Sequence, residues 1–323
     1  MQISKIDLKE FKGIKAMKRP MNLSRFNVLI GKNNAGKSSL MQALFLFPWP
    51  GRVSPFYKEY SSLSIYDSKG YMRTGGLVFL YSGKAEVRYY LKDENVLRIE
   101  IDSAGRTEVF YTEKGKNEKK FNDMSEVGKI EPEDAEKESV YLPYETSFFK
   151  DLSRYIDENE KQITKKGLHT KVAKFINRSV DDRFTEVTWK KDGLSLRRED
   201  AQYIKIEDLG SGTRKVVTSM LALENINPDL ILWDDFDAGM HPSMIKTVLE
   251  WLNEHKNWQV VLSTHSIDVL YQILDLKDTE EIKIHLLRKK NDVLASEALN
   301  VDELDDLIDA NTDPRLLINS ILP

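Results

Sequence analysis

The most constraining feature of this chain is a glycine-rich loop, Gly-Lys-Asn-Asn-Ala-Gly-Lys-Ser, at residues 31–38. An apolar run at 27–30 predicts a buried strand before it, and the run 39–47 predicts a helix after it. This strand–loop–helix context distinguishes the G-x4-G-K-[ST] motif from a chance glycine-rich turn. The glycines let successive N–H groups converge on one anion. The sequence therefore predicts an α/β fold around a phosphate-binding loop, with Lys37 on the β- and γ-phosphates and Ser38 on Mg²⁺.

A second apolar run ends in two carboxylates. Residues 230–233 predict a buried strand, and Asp234 and Asp235 follow it directly. Unpaired carboxylates are costly to bury, although a strand that merely surfaces at its end remains the alternative. Beside a phosphate-binding loop, we expect Asp234 to bind Mg²⁺ and Asp235 to orient the attacking water as a base.

Three further segments have the composition of ligand-binding loops. Leu-Gly-Ser-Gly-Thr-Arg at 209–214 opens an apolar helix, and such a helix start can bind an anion. Ala-Gly-Met-His-Pro at 238–242 follows the paired acids, and an apolar strand at 258–263 runs into Thr-His-Ser. A lone histidine is more often structural than catalytic. His265 is nevertheless a candidate, because it lies at the carboxyl end of a strand, the edge where open α/β sheets bind ligands.

The order of these segments resembles that of ABC-type ATPase heads. The branch in question includes the structural-maintenance-of-chromosomes (SMC) heads, RecF and the overcoming-lysogenization-defect (OLD) ATPases. Residues 1–13 resemble the first strand and turn of those heads, and residues 31–39 are close to the OLD-type loop. Residues 210–212 resemble the ABC signature, 240–242 the D-loop region, and 264–266 the switch-histidine position.

The resemblance implies ATP and Mg²⁺ as cofactors and an ATP-dependent homodimer. In such a dimer the signature of one subunit completes the nucleotide site of the other. The resemblance implies that Asp235, His265 and Lys37 are catalytic and that Ser38 and Asp234 bind Mg²⁺. The nucleotide-binding residues would be Gly31, Asn33, Asn34, Ala35, Gly36, Lys37, Ser38, Ser39, Lys12, Ser211 and Gly212.

Asp235 stands where this family usually has glutamate. Aspartate is one methylene shorter, and a displacement of about 1 Å can cost on the order of 100-fold in rate. We therefore expect ATP binding that drives head-to-head dimerisation and slow hydrolysis that releases it, as the ATPase component of a DNA repair or anti-foreign-DNA system. A separately encoded nuclease or other effector would be its partner. The alternative is a slow or non-hydrolysing ATP-gated switch that recruits such an effector.

We expect one ATPase head over residues 1–323, with its nucleotide-binding core in 1–50 and 200–290. An inserted β-meander and helical lobe would occupy 51–199, and an acidic helical extension 291–323. The acids at 302–309 alternate with apolar residues, which favours an exposed amphipathic helix over a metal site. Because only about 35 residues follow the last expected strand, we expect no added nuclease domain. Outside the core motifs we expect strands at 77–81, 85–91, 96–101, 107–112 and 282–287, and a strand pair within 183–196. Residues 141–143 are expected to return to the core sheet, and residues 148–176 to be largely helical.

Composition limits only loosely which classes of partner the chain can bind. The formal net charge is −4 and the pI about 5.9, so the chain is not a general polyanion binder, and local basic clusters leave a DNA contact open. The absence of cysteine excludes disulfides, zinc–thiolate sites and thiol catalysis. No apolar run approaches the ~20 residues of a membrane helix, and the N-terminus lacks a signal-peptide pattern. We therefore expect a cytoplasmic protein with no membrane partner.

Overall fold

The computed structural model describes residues 1–61, 74–122, 139–144, 148–191 and 193–319. Within this part of the chain, 13 strands form one mixed sheet with helices packed on it, which confirms the predicted α/β class. In chain order the strands are β1 (Ile3–Phe11), β2 (Ile14–Met17), β3 (Met21–Asn22), β4 (Phe26–Gly31), β5 (Val53–Ser54), β6 (Tyr57–Ser61), β7 (Lys84–Leu91), β8 (Val96–Asp102), β9 (Thr107–Thr112), β10 (Lys119–Phe121), β11 (Ser139–Leu142), β12 (Phe184–Lys190), β13 (Gly193–Arg198), β14 (Tyr203–Lys205), β15 (Leu230–Trp233), β16 (Gln259–Thr264), β17 (Ile282–Lys290) and β18 (Val293–Leu299).

The large sheet has the order β10-β9-β8-β7-β1-β2-β18-β17-β4-β16-β15-β11, with β3 paired to β1. Its five strands from β17 to β11 run parallel, so that Trp233 pairs with Leu262 and Thr264 pairs with Ile30. Strands β4, β15 and β16 are buried on both faces, which explains their largely apolar sequences. Because they are parallel, the segments that follow β4, β15 and β16 meet at one edge of the sheet.

Alternation along the parallel strands divides the core into two layers. Val28 and Ile30 belong to one layer and Leu29 to the other. Helix α1 covers the layer of Leu29, whereas α5, α6 and α7 contribute to the layer of Val28. The helices are α1 (Lys37–Phe45), α2 (Phe148–Glu158), α3 (Glu160–Lys165), α4 (Leu168–Ile176), α5 (Ser211–Ile226), α6 (Pro242–Glu254), α7 (Ile267–Leu274) and α8 (Val301–Asp309).

Strands β7, β8 and β9 form the antiparallel meander predicted at 85–91, 96–101 and 107–112, and β1 joins it to the rest of the sheet. Strand β10, which pairs with β9, was not predicted. The prediction of a strand at 77–81 is wrong. The chain instead forms two 3₁₀ turns, Thr74–Leu77 and Phe79–Tyr81. Leu80 and Tyr81 have φ angles of 48° and 60°, left-handed values that an extended strand does not adopt.

The helical stretch expected at 148–176 is confirmed as α2, α3 and α4. Gly167 precedes α4 with φ 69°, a left-handed conformation that glycine adopts without steric cost. A separate three-stranded sheet, β12-β13-β14, follows the helices. The apolar side chains of this lobe, such as Leu152 and Val172, pack into the same core layer as α5.

The sequence suggested that the strand at 282–287 is the last of the chain, but a further strand follows it. Asn291 and Asp292, both with positive φ, turn the chain into β18, which pairs with β17 and with β2. The region expected as a helical extension therefore begins with a strand. Helix α8 then carries the acidic run and starts with a capping box between Asn300 and Glu303. Among the described residues, no helix is both long enough and apolar enough to span a membrane.

Candidate functional site

The phosphate-binding loop joins the end of β4 to the start of α1. A Cβ on Gly31 would lie 2.8 Å from the carbonyl oxygen of Leu287 on β17, so the loop leaves no room for a side chain there. Gly36 precedes α1 with φ 99°, a conformation that other residues rarely adopt. Helix α1 begins at Lys37, two residues earlier than expected, and the free N–H groups of its first turn point toward the loop.

A cleft of about 650 Å³ opens beside this loop. It brings together residues that follow β4, β15 and β16, as the shared sheet edge requires. Two of the lining residues, Gly13 and Lys289, were not expected. Lys289 Nζ donates a hydrogen bond to the carbonyl oxygen of Gly13 at 3.0 Å. The available signal was a basic residue just beyond the point where β17 pairs with Gly31. The cleft is lined by Gly13, Asn33, Asn34, Ala35, Gly36, Lys37, Ser38, Ser39, Asp235, His265 and Lys289.

Lys37 lines the cleft and is buried. Its Nζ donates to the carbonyl oxygen of Gly31 at 3.0 Å and lies 2.8 Å from Nε2 of His265. Burial lowers the pKa of Lys37, and the nearby carboxylates of Asp235 and Asp234 act in the opposite direction. The same His265 nitrogen is 3.9 Å from Oδ1 of Asp235. The three residues expected to be catalytic therefore lie together.

Asp234 is buried and both of its carboxylate oxygens accept hydrogen bonds. Ser263 Oγ donates to Oδ1, and Tyr141 Oη donates to Oδ2 at 3.2 Å. Neither donor was expected. Ser263 ends an apolar strand next to β15, which was a usable signal, but Tyr141 comes from β11, whose pairing with β15 the sequence does not reveal. The two hydroxyls fix the orientation of the carboxylate.

Asp235 has an unusual backbone and an unpaired oxygen. Its φ angle is 42°, in the left-handed region that aspartate tolerates better than most residues. Its Oδ1 is buried and has no hydrogen-bond partner among the described residues. Burial raises the pKa of Asp235, and the neighbouring Asp234 raises it further, whereas His265 and Lys37 lower it. The carboxylate thus remains available as a proton acceptor.

The oxygen donors at this edge fit Mg²⁺ better than a softer metal. Ser38 is exposed in the cleft, and Asp234 holds its carboxylate at the end of β15. The described residues contain no cluster of three His, Cys, Asp or Glu side chains that could hold a metal by itself. Mg²⁺ usually keeps several waters and binds through one or two protein oxygens plus substrate phosphates. The donor set is of that kind.

Four expected nucleotide contacts do not line this cleft, namely Gly31, Lys12, Ser211 and Gly212. Lys12 donates to Gln42 Oε1 on α1, and burial lowers the pKa of Lys12 to about 8. Ser211 is exposed at the start of α5. A Cβ on Gly212 would lie 2.5 Å from the carbonyl oxygen of Gly239, so this helix start packs closely on the loop after the paired acids.

We expect Ser263→Ala to lower the free energy of unfolding by about 1–3 kcal/mol, the usual cost of leaving buried polar groups unpaired. The variant removes the donor to Asp234 and the acceptor of the Asp235 N–H, which lies 2.8 Å from Ser263 Oγ. Urea denaturation followed by circular dichroism measures the change. Ser82→Ala, at an exposed serine, is the control. Equal stability of the Ser263 variant and the wild type would contradict the role given to this hydroxyl.

Two family profiles match this sequence. The one described as "AAA domain, putative AbiEii toxin, Type IV TA system" matches residues 94–270, more than half of the chain. The one described as "AAA ATPase domain" matches residues 1–146. A protein of Helicobacter pylori named ATP/GTP phosphatase is 24% identical over 347 residues, which span 89% of this chain and 92% of the relative.

Solved structures of SMC heads resemble the fold. The SMC head bound to the C-winged helix domain of ScpA has a TM-score of 0.66 at 18% identity and covers 94% of this chain and 99% of its own. The SMC head domain from Thermotoga maritima has a TM-score of 0.55 at 15% identity and covers 93% of this chain and 100% of its own. At these identities the likeness concerns the fold.

Proposed function

This chain belongs to the AAA domain family whose profile spans residues 94–270, and from that premise we propose that it is a Mg²⁺-dependent ATP hydrolase. It is a P-loop ATPase head of the ABC type, with the fold of the SMC heads. The observation that carries the proposed reaction is the buried Oδ1 of Asp235, which has no hydrogen-bond partner in the part of the chain that the structure describes and lies 3.9 Å from Nε2 of His265.

In the proposed reaction, a water molecule attacks the γ-phosphorus and the bond to the β,γ-bridging oxygen breaks. Asp235 accepts the proton of that water, while His265 contacts the γ-phosphate. Lys37 exchanges its hydrogen bond with the Gly31 carbonyl oxygen for the β- and γ-phosphate oxygens. Ser38 and Asp234 would hold Mg²⁺, which neutralises charge on the phosphate oxygens when it is bound.

Phosphate release from ATP tests this proposal. We expect turnover with Mg²⁺ and none when EDTA is in excess, because the phosphate charge is then not neutralised. Single- and multiple-turnover measurements separate a slow enzyme from an ATP-gated switch. A slow enzyme releases one phosphate per cycle repeatedly, whereas a switch retains ATP. The shorter side chain of Asp235 favours slow turnover.

We also propose that two copies enclose ATP between them. Ser211 and Gly212 do not line the cleft of their own chain, yet Ser211 is exposed at a helix start that can bind an anion. A second copy placed head to head would bring its own helix start to this phosphate site. In that arrangement ATP binding drives dimerisation and hydrolysis reverses it.

Ser211→Arg tests the dimer, because it places bulk and charge where the partner's γ-phosphate would lie. We expect the variant to bind ATP as a monomer and to fail to dimerise with a non-hydrolysable ATP analogue. Light scattering measures the mass, and Ser82→Arg, on the turn before β7, is the matched control. A wild-type protein that stays monomeric at high concentration with saturating analogue would exclude the sandwich. Mixing Lys37→Ala and Ser211→Arg subunits should recover partial activity, because one composite site then keeps both parts.

For the cellular role we propose an OLD-like or RecF-like component of DNA repair or of defence against foreign DNA, acting with a separately encoded effector. The support is the family profile, whose description names a toxin of a type IV toxin–antitoxin system, together with the SMC-type fold. Turnover measured with and without linear duplex DNA tests the DNA contact. A stimulation that weakens steeply with salt is expected of phosphate-backbone binding. No effect of DNA at low salt would leave only a protein partner.

A further inference from the structure

Lys215 is a buried lysine that reaches the turn after β15. It lies on the second turn of α5, and its side chain is 5% exposed. Its Nζ donates a hydrogen bond to the main-chain carbonyl oxygen of Asp235 at 3.0 Å. The same Nζ lies 5.7 Å from the centre of the Trp233 ring. A buried ammonium is costly unless it is paired, so its position in the core calls for a reason.

The surroundings of Lys215 supply part of that reason. Burial lowers its pKa to about 8, while the carboxylates of Asp237, Asp235 and Asp234 act in the opposite direction. A lysine that served only to fill this space could be an apolar residue, which would avoid the desolvation cost. Its single charge instead lies where three acids and one main-chain carbonyl converge.

The peptide groups of Asp235 are held from both sides. Its N–H donates to Ser263 Oγ at 2.8 Å, and its carbonyl oxygen accepts from Lys215 and from the Ala238 N–H at 3.1 Å. The residue has a left-handed φ of 42°, which the surrounding contacts must maintain. Because Oδ1 makes no hydrogen bond among the described residues, the main chain determines where this carboxylate oxygen lies.

We propose that Lys215 is a positioning residue that holds the Asp235 turn in the geometry required for proton acceptance. This inference rests on the proposed ATP hydrolysis and deepens it, because it ties the base to the helix that begins with Ser211. A second contact points the same way: Gly212 packs so closely on Gly239 that a Cβ would lie 2.5 Å from its carbonyl oxygen. Helix α5 therefore holds the 235–239 turn at both ends.

Lys215→Met tests the proposal, since methionine keeps the packing of the stem and removes the donor. We expect kcat to fall about 10- to 100-fold while KM for ATP stays close to the wild-type value, as for a base displaced by about 1 Å. We also expect faster hydrogen–deuterium exchange in the peptide that covers residues 235–240, with the rest of the chain unchanged. Lys215→Arg, which keeps charge and donors, should recover part of both properties.

Lys166→Met is the matched control. Lys166 Nζ donates to the carbonyl oxygen of Asn225 at 2.7 Å, which is the same kind of contact at the far end of the same helix. It should change neither kcat nor exchange at 235–240. If Lys215→Met does not fold, Lys215→Gln replaces it, because the shorter glutamine side chain also loses the hydrogen bond to the Asp235 carbonyl oxygen. The same results are expected for this variant.

The outcomes separate this inference from the proposed function. Wild-type kcat and wild-type exchange at 235–240 in the Lys215 variants would overturn the positioning role. So would a rise in exchange across the whole chain, which would show a general loss of stability. If the wild-type protein does not hydrolyse ATP, the proposed function fails, and exchange at 235–240 still decides whether Lys215 holds the turn.

Discussion

We expect Lys37→Ala to lose ATP hydrolysis, with kcat/KM lower by at least roughly 100- to 1,000-fold, the range for removal of one preorganised charge-stabilising donor. Lys37 is a single buried charge that lines the cleft, next to His265 and Asp235. Alanine removes that charge without opening the apolar core. Phosphate release measures the loss of hydrolysis, and binding of a fluorescent ATP analogue measures the change in ATP affinity. Circular dichroism checks that the fold is intact.

Lys32→Ala is the control for this variant. Lys32 belongs to the same loop, but its Nζ donates to Oδ1 of Asn319 at 2.9 Å, and the residue does not line the cleft. Its loss should leave turnover close to the wild-type value. Equal ATP affinity and turnover in Lys37→Ala and the wild type would remove the phosphate-loop interpretation altogether.

Asp235→Asn should bind Mg²⁺–ATP and lower kcat by roughly 100- to 10,000-fold, the contribution expected of a general base. Asparagine also tolerates a left-handed φ, so the variant isolates the charge from the backbone. Because burial raises the pKa of Asp235, the wild-type activity should fall at a higher pH on the acid side than an ordinary aspartate would allow. A pH–rate profile measures this limb, and unchanged turnover in the variant would exclude Asp235 as the base.

The same pKa shift predicts the stability of this variant. A carboxyl group whose pKa is raised in the folded state favours folding when protonated, and that contribution is lost as the pH rises through the folded pKa. At neutral pH the ionised Asp235 therefore destabilises the fold, and Asp235→Asn should raise the melting temperature. A lower melting temperature would contradict the assigned cause. Asp235→Glu restores the missing methylene: turnover faster than the wild type would show that the shorter acid limits the rate, whereas loss of turnover would show that the left-handed turn is built for aspartate.

The parallel core of the sheet was predictable because its strands are buried on both faces. β4, β15 and β16 are short apolar runs, and each is followed by polar residues that the shared sheet edge brings together. Lys37, Asp235 and His265 could be identified from that pattern. The antiparallel meander was predictable from its turns. The exception is the segment at 77–81, where Leu80 and Tyr81 have left-handed φ angles and the chain forms 3₁₀ turns instead of a strand.

The missed features depend on contacts between distant segments. Nothing in the local sequence places Lys215 under the Asp235 carbonyl or Tyr141 beside Asp234. Strand β18 is different, because a signal was present. Asn291 and Asp292 both have positive φ, as a two-residue type I′ turn requires, and Asn and Asp are favoured in such turns. The alanines and the glutamate of β18, residue types that are depleted in strands, hid the strand that follows.

The hydroxyl of Tyr141 has a consequence for how such heads can be shortened or recombined. It reaches Asp234 across 93 positions of sequence, from a strand that lies within the region between the two groups of nucleotide-binding motifs. A chain trimmed to those motifs would still carry every signature residue, yet one oxygen of its buried carboxylate would lack its donor. A complete set of motifs is therefore not a complete site. Grafting this lobe between relatives should succeed only when the incoming segment restores a hydroxyl at the edge of β15.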